Sequence, residues 1–384
     1  SMRFENFSKF FIFSIIGCIT MMPVLIGPAI VGTLVDHGGF SEEYAGWVMA
    51  FGSFGSALTL LIISVYIHRL NLKRLAYVCL FLAMIIDLYS SFNARPELYF
   101  LMIRFLLGTL ITVANIAVYT SIASFQNYER GYGLFILMQY SLSGLGLYYL
   151  ILYSDFLGVQ GLYLSLAILD FIALLMVRNF PDLKMQPTSN QDSKSELKVL
   201  LTGATVFAVL GFGIHEMSGV AQFTYIERIG VAISIEDQSL SKIMLIGSLF
   251  GIPGSMVCIV IGKRFGLLPP FLFGFLGCLL GMSLLIISKT YLTYTIRMCL
   301  MGFSWSLLLP YIQSYLASLD KKGSALAAGN SFATIGAAIG AALGANLVGQ
   351  NSNYDGLLQV TILIYMVAVL FFIISIKRKH LVHE

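Results

Sequence analysis

The sequence predicts an all-α polytopic membrane protein of twelve transmembrane helices, arranged as two pseudo-symmetric six-helix bundles. Three observations predict it. The chain is 58% hydrophobic and 11% charged, with a mean hydropathy of +0.86, where a soluble domain carries about 25% charged residues. Its apolar residues fall into twelve runs, each close to or above the roughly 20 residues a helix needs to cross a bilayer. One polar segment, from Pro181 to Lys198, then divides six runs from six.

The first-half runs lie near residues 7–35, 43–67, 75–95, 98–123, 132–154 and 159–178. Run one is too long for a signal-peptide core and lacks a small-residue cleavage site, so a retained crossing is expected; Ser1 ahead of Met2 reads as a tag remnant. Pro23, Gly27 and Pro28 weaken its hydrogen-bond ladder and predict a bend. Run two leads into a short basic loop, IHRLNLKR at 67–74, and run three holds a single charge, Asp87. In run four, Arg104, Gly108, Thr112, Asn115 and Tyr119 recur at helical spacing and form one polar face. Run five offers Gln139, Tyr140 and Ser143 beside a Ser143-Gly144-Leu145-Gly146 stretch, and run six holds Asp170.

The second-half runs lie near 199–226, 239–262, 267–288, 291–317, 324–348 and 356–376. In run seven His215, Ser218, Gly219 and Gln222 fall at i, i+3, i+4 and i+7, with Glu216 on the shoulder of that stripe. Run eight leads into GKRFG at 262–266. Run ten places Arg297, Ser304, Tyr311 and Tyr315 on one face. In run eleven Gly336, Gly340 and Gly344 make a ridge that admits a neighbouring backbone, and Asn330 and Thr334 share a face.

These spans give a first bundle of residues 2–180, a linker of 181–198 and a second bundle of 199–384. The linker is too polar to form a core of its own. With a cytoplasmic amino terminus, 17 of the 23 Lys and Arg fall on one side, while the opposite loops hold acids such as Asp36, Glu97, Asp155 and Asp355. The excess of positive charge predicts that both termini are cytoplasmic.

The composition also disfavours several functions. Cys18, Cys79, Cys258, Cys278 and Cys299 sit inside apolar runs with no CxxC pair, as packing residues do. An ATP-driven pump would need a GxxxxGK[ST] loop and a soluble domain, and neither is present. A zinc enzyme built on His215 and Glu216 would need HExxH, but the chain reads HEMSG, with Gly219 at the second histidine position. No cofactor, no metal and no nucleic acid are expected.

An ionised side chain inside the bilayer costs several kcal/mol, so intramembrane charges are functional candidates by default. Here they are Asp87, Arg104, Asp170, His215, Glu216 and Arg297. Asp87 and Arg104 lie at matching depth, and a structural ion pair is weighed equally with a solute role for Arg104. Asp170 reads as a buried, hydrogen-bonded carboxyl. Two arginines facing a cavity would suit an anionic or zwitterionic solute, because guanidinium forks match carboxylates and phosphates.

The halves echo each other: the basic loop at 67–74 corresponds to that at 262–266, and Arg104 to Arg297. Such parallel repeats are a transporter architecture. Together with Arg104-Phe-Leu-Leu-Gly108, which is similar to an RxxxG motif in helix 4, these features resemble the major facilitator superfamily over the whole chain. The loop departs from the family's DRxGRR pattern, with His68 in place of Asp and Asn71 in place of Gly. The helix-5 antiporter motif lacks its proline, and no sugar-porter signature follows run six.

The resemblance implies that helices 1, 4, 7 and 10 line a central cavity. Glu216 is then expected to exchange a proton, with His215 tuning it or binding solute, and the alternative is that both only fix helix packing. The expected solute contacts are Arg104, Asn115, Tyr119, Gln139, Tyr140, Gln222, Arg297, Ser304 and Asn330; the expected gating loops hold His68, Arg69, Arg74, Lys263 and Arg264. The expected function is secondary active transport of a small organic solute by alternating access, as proton-coupled import. Efflux of drugs or metabolites is the runner-up, and a membrane-embedded enzyme or a transporter-like sensor is the alternative of another class. The expected setting is a monomer in the lipid of a bacterial inner membrane, with H+, or in its place Na+, as coupling ion.

Overall fold

The computed structural model describes residues 4–66, 69–123, 128–181, 198, 201–320, 323–349 and 354–382. Among these, regular structure is helical throughout, and twelve helical spans are long and apolar enough to cross a membrane. The chain divides into two compact units, Ser1–Pro187 and Thr188–Glu384. The expected linker, apart from its end residues, lies outside the described residues.

The first unit contains α1 (Phe4–Leu25), α2 (Gly27–His37), α3 (Glu42–Tyr66), α4 (Leu72–Asn93), α5 (Leu98–Ala123), α6 (Tyr128–Leu152) and α7 (Ser154–Met176). The bend expected in run one is a full break, with Ile26 at φ −99°, ψ 15° between α1 and α2. Pro28 sits in the first turn of α2, where its missing N–H is not needed. Near the start of α7, Gly158 adopts φ +59°, a left-handed conformation open to glycine. The run read from 159 onward begins just after that kink.

The second unit contains α8 (Gly203–Thr224), α9 (Ile226–Ala232), α10 (Asp237–Leu249), α11 (Gly251–Ile261), α12 (Leu268–Ile287), α13 (Tyr291–Leu319), α14 (Ser324–Gly349) and α15 (Asp355–Val382). Its first span also breaks, at Tyr225 (φ −107°, ψ 7°), with no proline nearby. Here tertiary bonding replaces the local signal: Tyr225 is fully buried, and the Tyr294 hydroxyl of α13 donates to the Ile226 carbonyl at 2.6 Å. A backbone acceptor beside the break is thereby satisfied, as the bilayer interior requires.

Within lipid, helices gain little from hydrophobic burial against one another, and close backbone contact takes over. In the first unit an added Cβ at Gly108 of α5 would overlap the Gly52 carbonyl of α3; in the second, one at Gly302 of α13 would overlap the Gly247 carbonyl of α10. The glycine ridge of α14 packs in the same way, with Gly336 and Gly340 on the backbone of α8 at Gly213 and Met217. That contact fixes the helix carrying His215 and Glu216. Each unit then closes around aromatic cores, Phe10, Phe13 and Phe135 in the first and Phe212, Phe271, Phe275 and Phe372 in the second.

Candidate functional site

The second unit gathers the polar stripe of α8 against α13 and α15. His215 is fully buried, and its ring stacks on Trp305 of α13 at 3.9 Å between centroids and 15° between planes. Its Nδ1 lies 3.1 Å from the Tyr365 hydroxyl of α15, while Nε2 has no hydrogen-bond partner among the described residues. Trp305 lies over Gly219, where any Cβ would overlap its ring. The position that HExxH would give to a second histidine is therefore filled by indole.

Glu216 follows His215 directly in α8. It is half-buried, and no hydrogen bond or ion pair engages it among the described residues. One helical turn and a half further along α8, Gln222 is fully buried. Its Oε1 accepts from Arg297 Nη2 at 2.7 Å and Nε at 3.3 Å, and its Nε2 donates to Thr361 Oγ1 at 3.3 Å. Arg297 Nη1 also approaches Met298 Sδ at 3.2 Å, and the residue is 2% exposed.

The arginine at the equivalent place in the first unit is held by charge. Arg104 Nη1 donates to Asp87 Oδ1 of α4 at 2.6 Å and reaches Ser90 Oγ at 3.4 Å, and the guanidinium sits 4.7 Å from the Tyr163 ring centroid of α7. Of the two readings open for Arg104, the ion pair with Asp87 is the one this geometry contains. Each guanidinium has partners within its own unit, and Arg104 also lines a small cavity with Ser53, Ser56 and Tyr163. Asp87 compensates the charge of Arg104, whereas Arg297 is hydrogen-bonded by the neutral Gln222.

The remaining expected contacts are dispersed. Asn115 is half-buried, with Oδ1 lacking a partner, and Tyr119 is 39% exposed and packs edge-on against Phe135. Gln139 Nε2 donates to Met21 Sδ at 2.7 Å, and Tyr140 is half-buried. Asn330 is exposed and accepts from Gln313 Nε2 at 2.8 Å. Ser304 is buried and packs onto Gly277 of α12, so its hydroxyl fills a helix contact. Of the expected gating residues, Arg69, Lys263 and Arg264 are exposed, Arg74 is exposed in the first turn of α4, and His68 lies outside the described residues. Asn71 has a clear local task, since its Oδ1 accepts from the Arg74 amide at 3.2 Å and caps α4.

Sequence reasoning missed Trp305, Tyr365 and Tyr163. Trp305, one of two tryptophans and placed in mid-helix, carried a usable signal; the two tyrosines, among twenty, did not.

Two units of six membrane-spanning segments each, with ionisable side chains buried inside them, make a polytopic membrane protein. The chain belongs to the major facilitator superfamily, whose family model matches residues 10–341, and it is a transporter rather than an enzyme. The crystal structure of a D-xylose-proton symporter superposes with a TM-score of 0.75 at 15% identity, covering 95% of this chain and 97% of that one. The nucleoside transporter NupG superposes with a TM-score of 0.70 at 13% identity, covering 97% and 98%. At such identities the likeness is one of fold. No curated protein matches the sequence.

Proposed function

We propose that the protein imports a small polar organic solute by alternating access, coupled to protons through Glu216. The observation that carries this reading is the state of Glu216: a carboxyl in mid-helix, half-buried, and engaged by no hydrogen bond or ion pair among the described residues. A carboxyl kept for packing would be bonded, because an unsatisfied polar group inside a membrane protein is expensive. His215, Tyr365 and Trp305 form the wall against which it works, and His215 acts by positioning Tyr365.

Asn115, Tyr119, Gln139 and Tyr140 of the first unit and Asn330 of the second are the side chains proposed to meet solute, with Arg104, Arg297 and Gln222 as supporting polar residues, each within its own unit. The printed names of the structural neighbours, a D-xylose-proton symporter and a nucleoside transporter, favour a small hydrophilic solute. The proline missing from the helix-5 motif weighs against efflux. Cytoplasmic termini, the 2–180 and 199–384 bundles, Arg69, Arg74, Lys263 and Arg264 as gating residues, H+ rather than Na+, a monomer and a bacterial inner membrane complete the proposal.

The test is thermal stability of the purified protein across a metabolite panel at two pH values, since a ligand of the folded state raises its melting temperature. One chemical class should stabilise the wild type in a pH-dependent way, and Glu216→Gln should keep the stabilisation and lose its pH dependence. Unchanged pH dependence in Glu216→Gln would remove Glu216 from coupling.

A further inference from the structure

One end of the second unit carries positive charge that no described carboxylate neutralises. Lys263 and Arg264 lie between α11 and α12, and Lys377, Arg378 and Lys379 lie in the last two turns of α15. Lys379 is half-buried and the other four are exposed. No ion pair engages any of the five among the described residues. The acid described at this end, Asp320, is occupied elsewhere: its Oδ2 and Oδ1 accept from the Ser324 and Ala325 amides at 3.1 and 3.3 Å and cap α14.

The packing gathers these cations and orders three of them through neutral groups. Tyr311, Tyr315 and Ser318 follow one another along one face of α13. The Tyr311 hydroxyl donates to the Gly262 carbonyl at 2.8 Å, which ties the loop of Lys263 and Arg264 to that face. Lys379 meets the same face from α15, its Nζ donating to Ser318 Oγ at 2.7 Å and lying 5.2 Å from the Tyr315 ring centroid. The Arg378 guanidinium sits 5.1 Å from the Phe207 ring centroid of α8, and that of Arg264 sits 5.7 Å from the Phe265 ring centroid. Hydroxyls and ring faces hold a cation without cancelling its charge.

Ile259 and Val260 at the end of α11, and Phe265 and Phe273 around the start of α12, are exposed apolar side chains beside this loop. Ordered cations bordered by exposed apolar surface complement a molecule with an anionic head and hydrocarbon tails. We propose that this end of the second unit binds the phosphate headgroup of an anionic phospholipid, with Lys379 at the centre of the site and Lys263, Arg264 and Arg378 around it. The apolar side chains beside the loop meet the acyl chains. A general excess of positive charge suffices to orient a chain in the bilayer, and it needs no hydroxyl or ring to fix individual cations. The site is independent of the transport reading above.

Native mass spectrometry of the purified full chain, with phosphatidylglycerol or phosphatidylcholine titrated into the detergent, counts the lipids retained. The wild type should hold phosphatidylglycerol in preference to phosphatidylcholine, and inorganic phosphate should not displace it. Lys379→Gln and Arg378→Gln should each weaken that binding about fivefold, the usual effect of one cation near a lipid surface. Lys379→Arg should keep it, and Lys73→Gln, which removes the same charge from the first unit, should leave it unchanged. Equal retention of the two lipids by the wild type, or an equal loss in Lys73→Gln and Lys379→Gln, would overturn the proposal. Displacement by inorganic phosphate would mark a free-anion site and be equally contrary. Should Lys379→Gln not stay monodisperse, Arg378→Gln gives the same reading, and undiminished binding in it would be decisive against the site.

Discussion

Arg104 and Arg297 occupy equivalent places in the two units, each six residues into its helix and almost fully buried, yet they are partnered differently. Arg104 meets a carboxylate, whereas Arg297 meets the amide oxygen of Gln222 and a thioether. The first unit therefore closes its charge locally. The second leaves Arg297 cationic and, elsewhere on α8, Glu216 unengaged among the described residues. A repeated scaffold thus separates two tasks, and the half with open charge is the one the transport proposal uses.

The sharpest way to break this comparison is to remove each arginine. Arg104→Leu should destabilise the protein by about 3–5 kcal/mol, the usual result of stranding a buried charge, and a melting curve in detergent would show it as poor or absent folding. Arg297→Leu strands only the neutral oxygen of Gln222, so a loss of about 1–3 kcal/mol is expected. Equal losses in the two variants would erase the distinction between the units.

A smaller effect should come from the cap. Asn71→Ala removes the acceptor for the Arg74 amide and should lower stability by about 1 kcal/mol, with Asn71→Asp retaining it. If Asn71→Ala also abolished transport in liposomes at unchanged stability, the loop would have a gating task beyond capping. Smallest of all in stability should be Glu216→Gln, which is nearly isosteric and breaks no bond to a described residue; its melting temperature at neutral pH should stay close to that of the wild type.

Much of this was legible in sequence where a residue type has one physical use. Apolar runs longer than a bilayer crossing gave the twelve spans, Pro23 and Pro28 announced the break at Ile26, and matching depth paired Asp87 with Arg104. The glycines of run eleven signalled close packing, though not that α8 is the partner. What stayed hidden depends on the fold. The break at Tyr225 is held by Tyr294 from another helix, and no local proline marks it. Ser304 sat on a polar stripe but meets Gly277, because a helix face says nothing of which neighbour covers it. Arg297 lacked an acid in its own helix and found an amide on α8, a partner that charge arithmetic does not suggest.

The central claim is that the unengaged carboxyl of Glu216 couples proton movement to solute movement. Its most direct measurement is proton flux in proteoliposomes driven by a solute gradient, once the panel has identified a ligand, with wild type and Glu216→Gln compared at equal reconstitution. The account predicts that the wild type moves protons with solute, and that Glu216→Gln still binds and exchanges solute but moves no protons with it. Proton movement of wild-type size in Glu216→Gln would contradict the account.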